Sequence, residues 1–208
     1  MISHAHRCIF IHVPRTAGSS VESVLWPGER TEADLWMGFT TRYGNPYQTG
    51  GLQHLTARLV RDLVGAQTFD DYFTFAVVRD PWDKAVSQYA FMARRPDLRE
   101  LLGMAEGDDF RTYLRLIRDA THVQWEPQVS FVCDQGGRVM VDRLVRFERF
   151  ETEFAAVLQR LGVDAPVPHI HGTERKPLRD YYDDETRALV ADLYRDDVAT
   201  FGYAFPDG

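Results

Sequence analysis

Short apolar runs alternate along this chain with segments in which apolar residues recur every three or four positions. Ile9, Phe10, Ile11 and Val13 form the first run, residues 73–78 a second and residues 144–147 a third, each of strand length. Runs with little polar alternation suit buried strands. Helical spacing follows in Val21, Val24 and Leu25, and then in Leu55, Leu59, Val60 and Leu63 on one face. After Pro81 the spacing of Ala85, Val86, Tyr89 and Ala93 predicts a helix that Pro96 ends. Residues 110–117 and 150–161 give two more helices, the second closed by Gly162 at the C′ position. Asp183 caps a last helix that packs Leu189, Val190, Leu193, Val198 and Phe201. Residues 129–132 and 139–141 flank Gly136-Gly137, which fits a hairpin or a short strand pair. Strands alternating with helices predict an α/β fold: a single domain over residues 1–208, with a mainly parallel sheet flanked by helices.

Two of the strand-to-helix junctions carry chemistry. In residues 10–20 (FIHVPRTAGSS) the strand leads through Pro14, Arg15, Thr16 and Ala17 to Gly18, Ser19 and Ser20, and then into a helix. Gly18 lets backbone approach an anion, and the N–H groups after it sit where the helix dipole favours negative charge. Arg15 adds a fixed cation, and Thr16, Ser19 and Ser20 add hydroxyl donors. The same residues admit a purely structural reading, in which Ser19 and Glu22 form a capping box. In residues 75–89 the second strand ends at Arg79, Asp80 serves as N-cap and Pro81 as the first helical residue. Ser87 lies eight residues beyond Arg79, about two turns into that helix. Two anion sites in one small chain suggest a ligand with two separated phosphate-type groups.

These segments resemble the cofactor motifs of sulfotransferases that use 3′-phosphoadenosine 5′-phosphosulfate (PAPS). The match is to the carbohydrate-type branch, sulfotransferase family 2-like, whose first motif reads roughly His-Val-Pro-Lys-Thr-Ala-Gly-Thr-Ser. Here residues 12–20 read HVPRTAGSS, and Val78-Arg79-Asp80-Pro81-Trp82 with Ser87 resembles the second motif. Residues 146–148, 181–183 and 201–203 resemble later landmarks, so the likeness runs from about residue 8 to residue 203. The resemblance implies a P-loop-NTPase-like fold and a sulfuryl transfer from PAPS to a hydroxyl or amine of a small-molecule or carbohydrate acceptor, releasing 3′-phosphoadenosine 5′-phosphate (PAP). It implies that residues 15–20 hold the 5′-phosphosulfate and that Arg79 and Ser87 hold the 3′-phosphate. Arg175 or Lys176 would supply a further contact, from a loop that in related enzymes closes over the nucleotide. Arg15 stands where the family has Lys, offering charge and a fork but no readily transferred proton. His54, after the first motif, matches the place of the base that takes the acceptor proton; His12, His122, His169, His171 and Glu174 are the alternatives.

Composition narrows this further. A net charge of −7 and a pI near 5.5 exclude a broadly basic nucleic-acid binder. Cys8 and Cys133 are too few for a disulfide framework and read as buried thiols. His169-Ile170-His171 has the spacing of two metal ligands but no third partner, so no metal is expected. No stretch approaches the ~20 apolar residues of a membrane span, and residues 1–7 have no apolar signal core, so the expectation is a cytoplasmic protein. Trp26, Trp36, Phe39, Tyr43 and Tyr47 stud a loop suited either to an acceptor ring or to packing on the core. A phosphate-loop kinase is disfavoured, because Val13 stands where the first glycine of Gly-x-x-x-x-Gly-Lys-Ser/Thr should be and Ser19 where its lysine should be. A protein that binds PAP or PAPS without catalysis is the other alternative.

Overall fold

Among the described residues, four strands form one sheet in the order β1 (Ile2–Ser3), β2 (Cys8–Ile11), β3 (Phe73–Val78) and β4 (Arg143–Arg146). The structure is a computed structural model and describes residues 1–35, 54–168 and 175–206. Trp36, Phe39, Tyr43, Tyr47, His169, His171 and Glu174 therefore lie outside the described residues. β2, β3 and β4 run parallel, with Ile11 opposite Ala76 and Val78 opposite Arg146, so their carboxyl ends share one edge of the sheet. Parallel neighbours need long crossovers, and helices fill them. In chain order these helices are α1 (Gly18–Leu25), α2 (Ala57–Val64), α3 (Ala66–Asp71), α4 (Pro81–Met92), α5 (Pro96–Leu102), α6 (Phe110–Arg118) and α7 (Val129–Val132). After β4 come α8 (Phe150–Leu161), α9 (Asp184–Leu193) and α10 (Arg195–Phe201). This is the mainly parallel α/β architecture the pattern predicts.

The chain divides into two compact units. The first, residues 1–78 and 128–170, holds the sheet. Its core stacks Phe10 on Phe75 with ring centroids 5.1 Å apart, and Phe150 on Phe154 at 4.9 Å, against Val77, Val145 and Val157. Each fully buried side chain of this size contributes about 1.5–3 kcal/mol, which explains why the apolar runs are nearly unbroken. The second unit, residues 79–127 and 171–208, is helical and packs Val86, Met92, Tyr113, Leu114 and Val190 in a core of its own.

Several local expectations hold. Gly162 closes α8 in the left-handed conformation (φ 67°), and Asp80 caps α4 with Pro81 at its first position. Asp183 caps α9 reciprocally with Thr186. Both cysteines are buried; burial, opposed by the nearby N-terminal ammonium, pushes the Cys8 thiol up to about 12.

Other expectations are corrected. Residues 129–132 form the short helix α7, not a strand, and the hairpin shrinks to one antiparallel bridge between Cys133 and Val139. Asp134 Oδ1 accepts from the N–H groups of Gly136 and Arg138, and this side-chain-bonded turn takes the place of paired strands. Pro96 opens α5 after α4 has already ended at Met92, the position where proline loses no helical bond. α2 buries Ala57 and Val60, while Leu59 and Leu63 remain 41% and 40% exposed. The last helix breaks at Tyr194, whose buried phenol donates to Trp125 O at 3.0 Å.

Candidate active site

The first junction leaves the carboxyl end of β2 within the sheet-bearing unit. Two residues with left-handed backbone, Arg15 (φ 65°) and Ala17 (φ 67°), turn the chain into α1. Such φ values cost a residue with a Cβ about 1–2 kcal/mol, so the surroundings must hold the turn. Thr16 does so from a fully buried position: its Oγ1 donates to Val13 O at 2.8 Å. The Thr16 hydroxyl proton therefore points inward, while Arg15 is half-buried, Ser19 exposed and Ser20 half-buried. α1 starts at Gly18 with Ala17 as N-cap and no side-chain cap, so Gly18, Ser19 and Ser20 occupy the positive end of the helix. That arrangement corrects the capping-box reading. Glu22 turns instead toward His12, with Oε1 2.8 Å from Nδ1, and toward Arg30 Nη1 at 2.6 Å.

His12 ties this turn together. Its ring lies over Gly18: a Cβ built there would stand 1.7 Å from Nε2 and 2.1 Å from Cδ2. Glycine is thus required by the imidazole packed against it as well as by any approaching anion. The ring also stacks on Phe10 and meets His54 edge-on at 4.5 Å, which makes His12 part of the core. Burial opposes the charge on Glu22, but the His12 ring at 2.8 Å, with Arg30 and the N-terminal ammonium, holds its carboxyl below the usual carboxylate range.

His54, placed just before the Thr56 cap of α2, is buried against this cluster. Its Nδ1 lies 2.9 Å from His12 O. A carbonyl only accepts, so Nδ1 carries a proton, and in the neutral form of the ring the lone pair lies on Nε2. This is the tautomer a general base uses through Nε2. His122 belongs to the helical unit and differs in kind: burial, then the Arg95 charge, hold it down to about 4 against the pull of Asp97. Its Nδ1 accepts from the Gln124 N–H at 3.2 Å.

The second junction opens the helical unit. Arg79, the residue after β3, is only 7% exposed, and it meets Asp83 one helical turn on, with Nε and Nη2 at 2.7 and 2.6 Å from the same Oδ2. Arg175 reaches the other oxygen of that carboxylate through Nη2, and its Nη1 lies 3.4 Å from Asp83 O. Two cations distant in sequence thus meet on one anion. Ser87 is buried in α4. Lys176 is exposed and lines a separate cavity of about 250 Å³ with Tyr89, Phe110 and Tyr181. Trp82 is structural: its Nε1 donates to Arg187 O at 3.1 Å, and its carbonyl accepts from the Tyr182 hydroxyl at 2.8 Å.

The model of the sulfotransferase family matches residues 1–204. The chain is a member of the sulfotransferase family. A curated protein of Archaeoglobus fulgidus, called uncharacterized, is 29% identical over 111 residues, 52% of this chain and 83% of that protein. No solved structure matches the chain. Membership supports sulfuryl transfer as the reaction class and a small-molecule acceptor. Among the described residues no helix is long and apolar enough to cross a membrane, and no group of three or more His, Cys, Asp or Glu could hold a metal.

Three side chains have partners that their sequence context leaves undefined. Glu22 reads as an N-terminal helix residue, and only the packing of His12 turns it inward. Asp83 was signalled by its four-residue spacing from Arg79, which places ion partners on adjacent turns. Lys84 gave no signal: it is 1% exposed, with Nζ 3.3 Å from Glu126 O and over the Tyr194 ring at 5.1 Å.

Proposed function

We propose that the chain transfers a sulfuryl group from PAPS to a hydroxyl or amine of an acceptor, a carbohydrate being the acceptor class that its motifs resemble. The observation that carries this reading is the pair of anion-suited junctions, one with an uncapped helix start beside Arg15 and one with Arg79 and Arg175 on a shared carboxylate. The 5′-phosphosulfate is assigned to residues 15–20, and the 3′-phosphate to Arg79, Ser87 and Arg175. Lys176, set in its own cavity, has less support. In the reaction the acceptor oxygen or nitrogen forms a bond to sulfur as the bond from sulfur to the bridging oxygen breaks. His54 Nε2 takes the acceptor proton, and PAP leaves with the electron pair. Arg15 and the helix N-terminus offset the charge growing on the leaving phosphate.

Nucleotide selectivity tests the donor assignment. PAP should bind about ten- to a hundredfold more tightly than adenosine 5′-monophosphate, the effect of ~1.5–3 kcal/mol expected for a charge-assisted contact. Arg79→Ala should erase most of that difference. Equal affinities in calorimetry would sink the assignment.

Arg15 should act on turnover more than on donor affinity, because the charge it meets grows in the transition state. Arg15→Ala should lose activity, measured as labelled product from PAPS and acceptor pools. Arg15→Lys should keep or raise it, since the ammonium can approach the bridging oxygen as a compact donor. Native turnover in Arg15→Ala would leave the loop with positioning alone, and a native chain that binds PAP yet labels no acceptor would favour a binding protein.

A further inference from the structure

We propose that Asp83 is the positioning residue of the nucleotide site, holding Arg79 and Arg175 as a pair of guanidiniums aligned for one phosphate. The inference rests on the reading of Arg79 as a 3′-phosphate ligand. A guanidinium as deeply buried as that of Arg79 is costly to bury without a partner. Asp83 supplies that partner through Oδ2, which takes the Nε edge of Arg79 from two nitrogens. Oδ1 is left for Arg175, so each carboxylate oxygen fixes one guanidinium. The division matters because a planar guanidinium is directional: once one edge is fixed, the direction of its remaining N–H groups is fixed as well.

Net charge cannot do this work alone. Asp80, whose Oδ1 accepts the Asp83 N–H at 2.9 Å, adds a second carboxylate, so the two arginines and two aspartates sum to zero. A phosphate is then recognised by aligned donors more than by surplus charge, and alignment is what Asp83 provides. Asparagine in its place offers one acceptor oxygen and an NH2 group, which cannot accept from a second guanidinium. Arg175, the half-exposed member of the pair, loses its anchor first.

The experiment is a double-mutant cycle read by calorimetry on the full chain, with PAP and adenosine 5′-monophosphate as probes. Asp83→Asn should lower the preference for PAP about tenfold, the low end for a charge-assisted contact. Arg175→Ala should cost about tenfold in PAP affinity in the native background and less than twofold after Asp83→Asn, because coupled residues are not additive. Arg175→Lys, which keeps the charge and loses the fork, should fall with Arg175→Ala. A thermal melt of each variant separates loss of fold from loss of selectivity, and Arg175→Lys, outside the helix start, keeps the test open should Asp83→Asn unfold. A preference unchanged or increased by Asp83→Asn, or the same cost of Arg175→Ala in both backgrounds, overturns the proposal. If the native chain does not prefer PAP, the donor assignment falls together with it; if the native chain prefers PAP and the cycle shows no coupling, only the role of Asp83 falls.

Discussion

Replacing His54 with asparagine should lower turnover by ~10²–10⁴-fold, the usual contribution of a positioned general base. Asparagine is the informative substitution because its amide nitrogen can stand near the place of Nδ1 and keep the bond to His12 O, while nothing replaces Nε2. PAP affinity should then stay within about twofold, since a base that acts on the acceptor adds transition-state stabilisation only. The pH–rate profile should lose its acidic limb, because no imidazole remains whose protonation would block transfer of the acceptor proton. Alanine should cost stability as well, since it leaves the buried His12 carbonyl without its donor and opens a gap beside the His12 ring. Native turnover in the asparagine variant would move the proton to another group. His12 would be tested next, and His122 is the weaker choice, being already held neutral well below pH 7.

Gly18→Ala should be the most disruptive added methyl among the described glycines. Its Cβ would stand 1.7 Å from His12 Nε2, far inside contact distance. The ring cannot simply swing aside, because Glu22, Phe10 and His54 hold its other faces. Overpacking of this kind typically costs 1–3 kcal/mol, so about 3 kcal/mol is expected from denaturant melts. The helix start must shift to make room, and PAP affinity should fall by about a hundredfold or more, as both the main-chain donors and Arg15 are displaced. Adding His12→Ala should recover part of the stability by vacating the space, although His54 would lose its edge-on neighbour. A Gly18→Ala protein with native melting and native PAP affinity would show that the imidazole does not occupy that position.

How much of this was legible beforehand follows the range of the forces involved. β2, β3 and α8 were readable because burial on two faces leaves apolar runs, and because proline, aspartate and glycine act on the residues next to them. β1 was not: two residues, Ile2 and Ser3, carry no periodicity and exist as a strand because β2 offers them an edge. Residues 129–132 have the composition of a strand, but among the described residues they join no strand: they form α7, and Val132 O accepts from the Met140 N–H at 2.8 Å. Leu59 and Leu63 fit a helical stripe, yet Ala57 and Val60 are the residues α2 buries, because which face turns inward depends on what stands opposite.

The same division runs through the candidate site. Consecutive residues set the two junctions, the residue types at them and the family to which they belong, because a strand-to-helix turn is a local object. What those residues touch is fixed when the chain folds. Folding turned Glu22 from a helix cap into the partner of His12, set the tautomer of His54 through a carbonyl 42 residues away, and brought Arg175 to the carboxylate that holds Arg79 across 92 residues. These are charge and hydrogen-bond pairings between groups remote in sequence. Their energy depends on distance and burial, and neither is defined until the chain has folded.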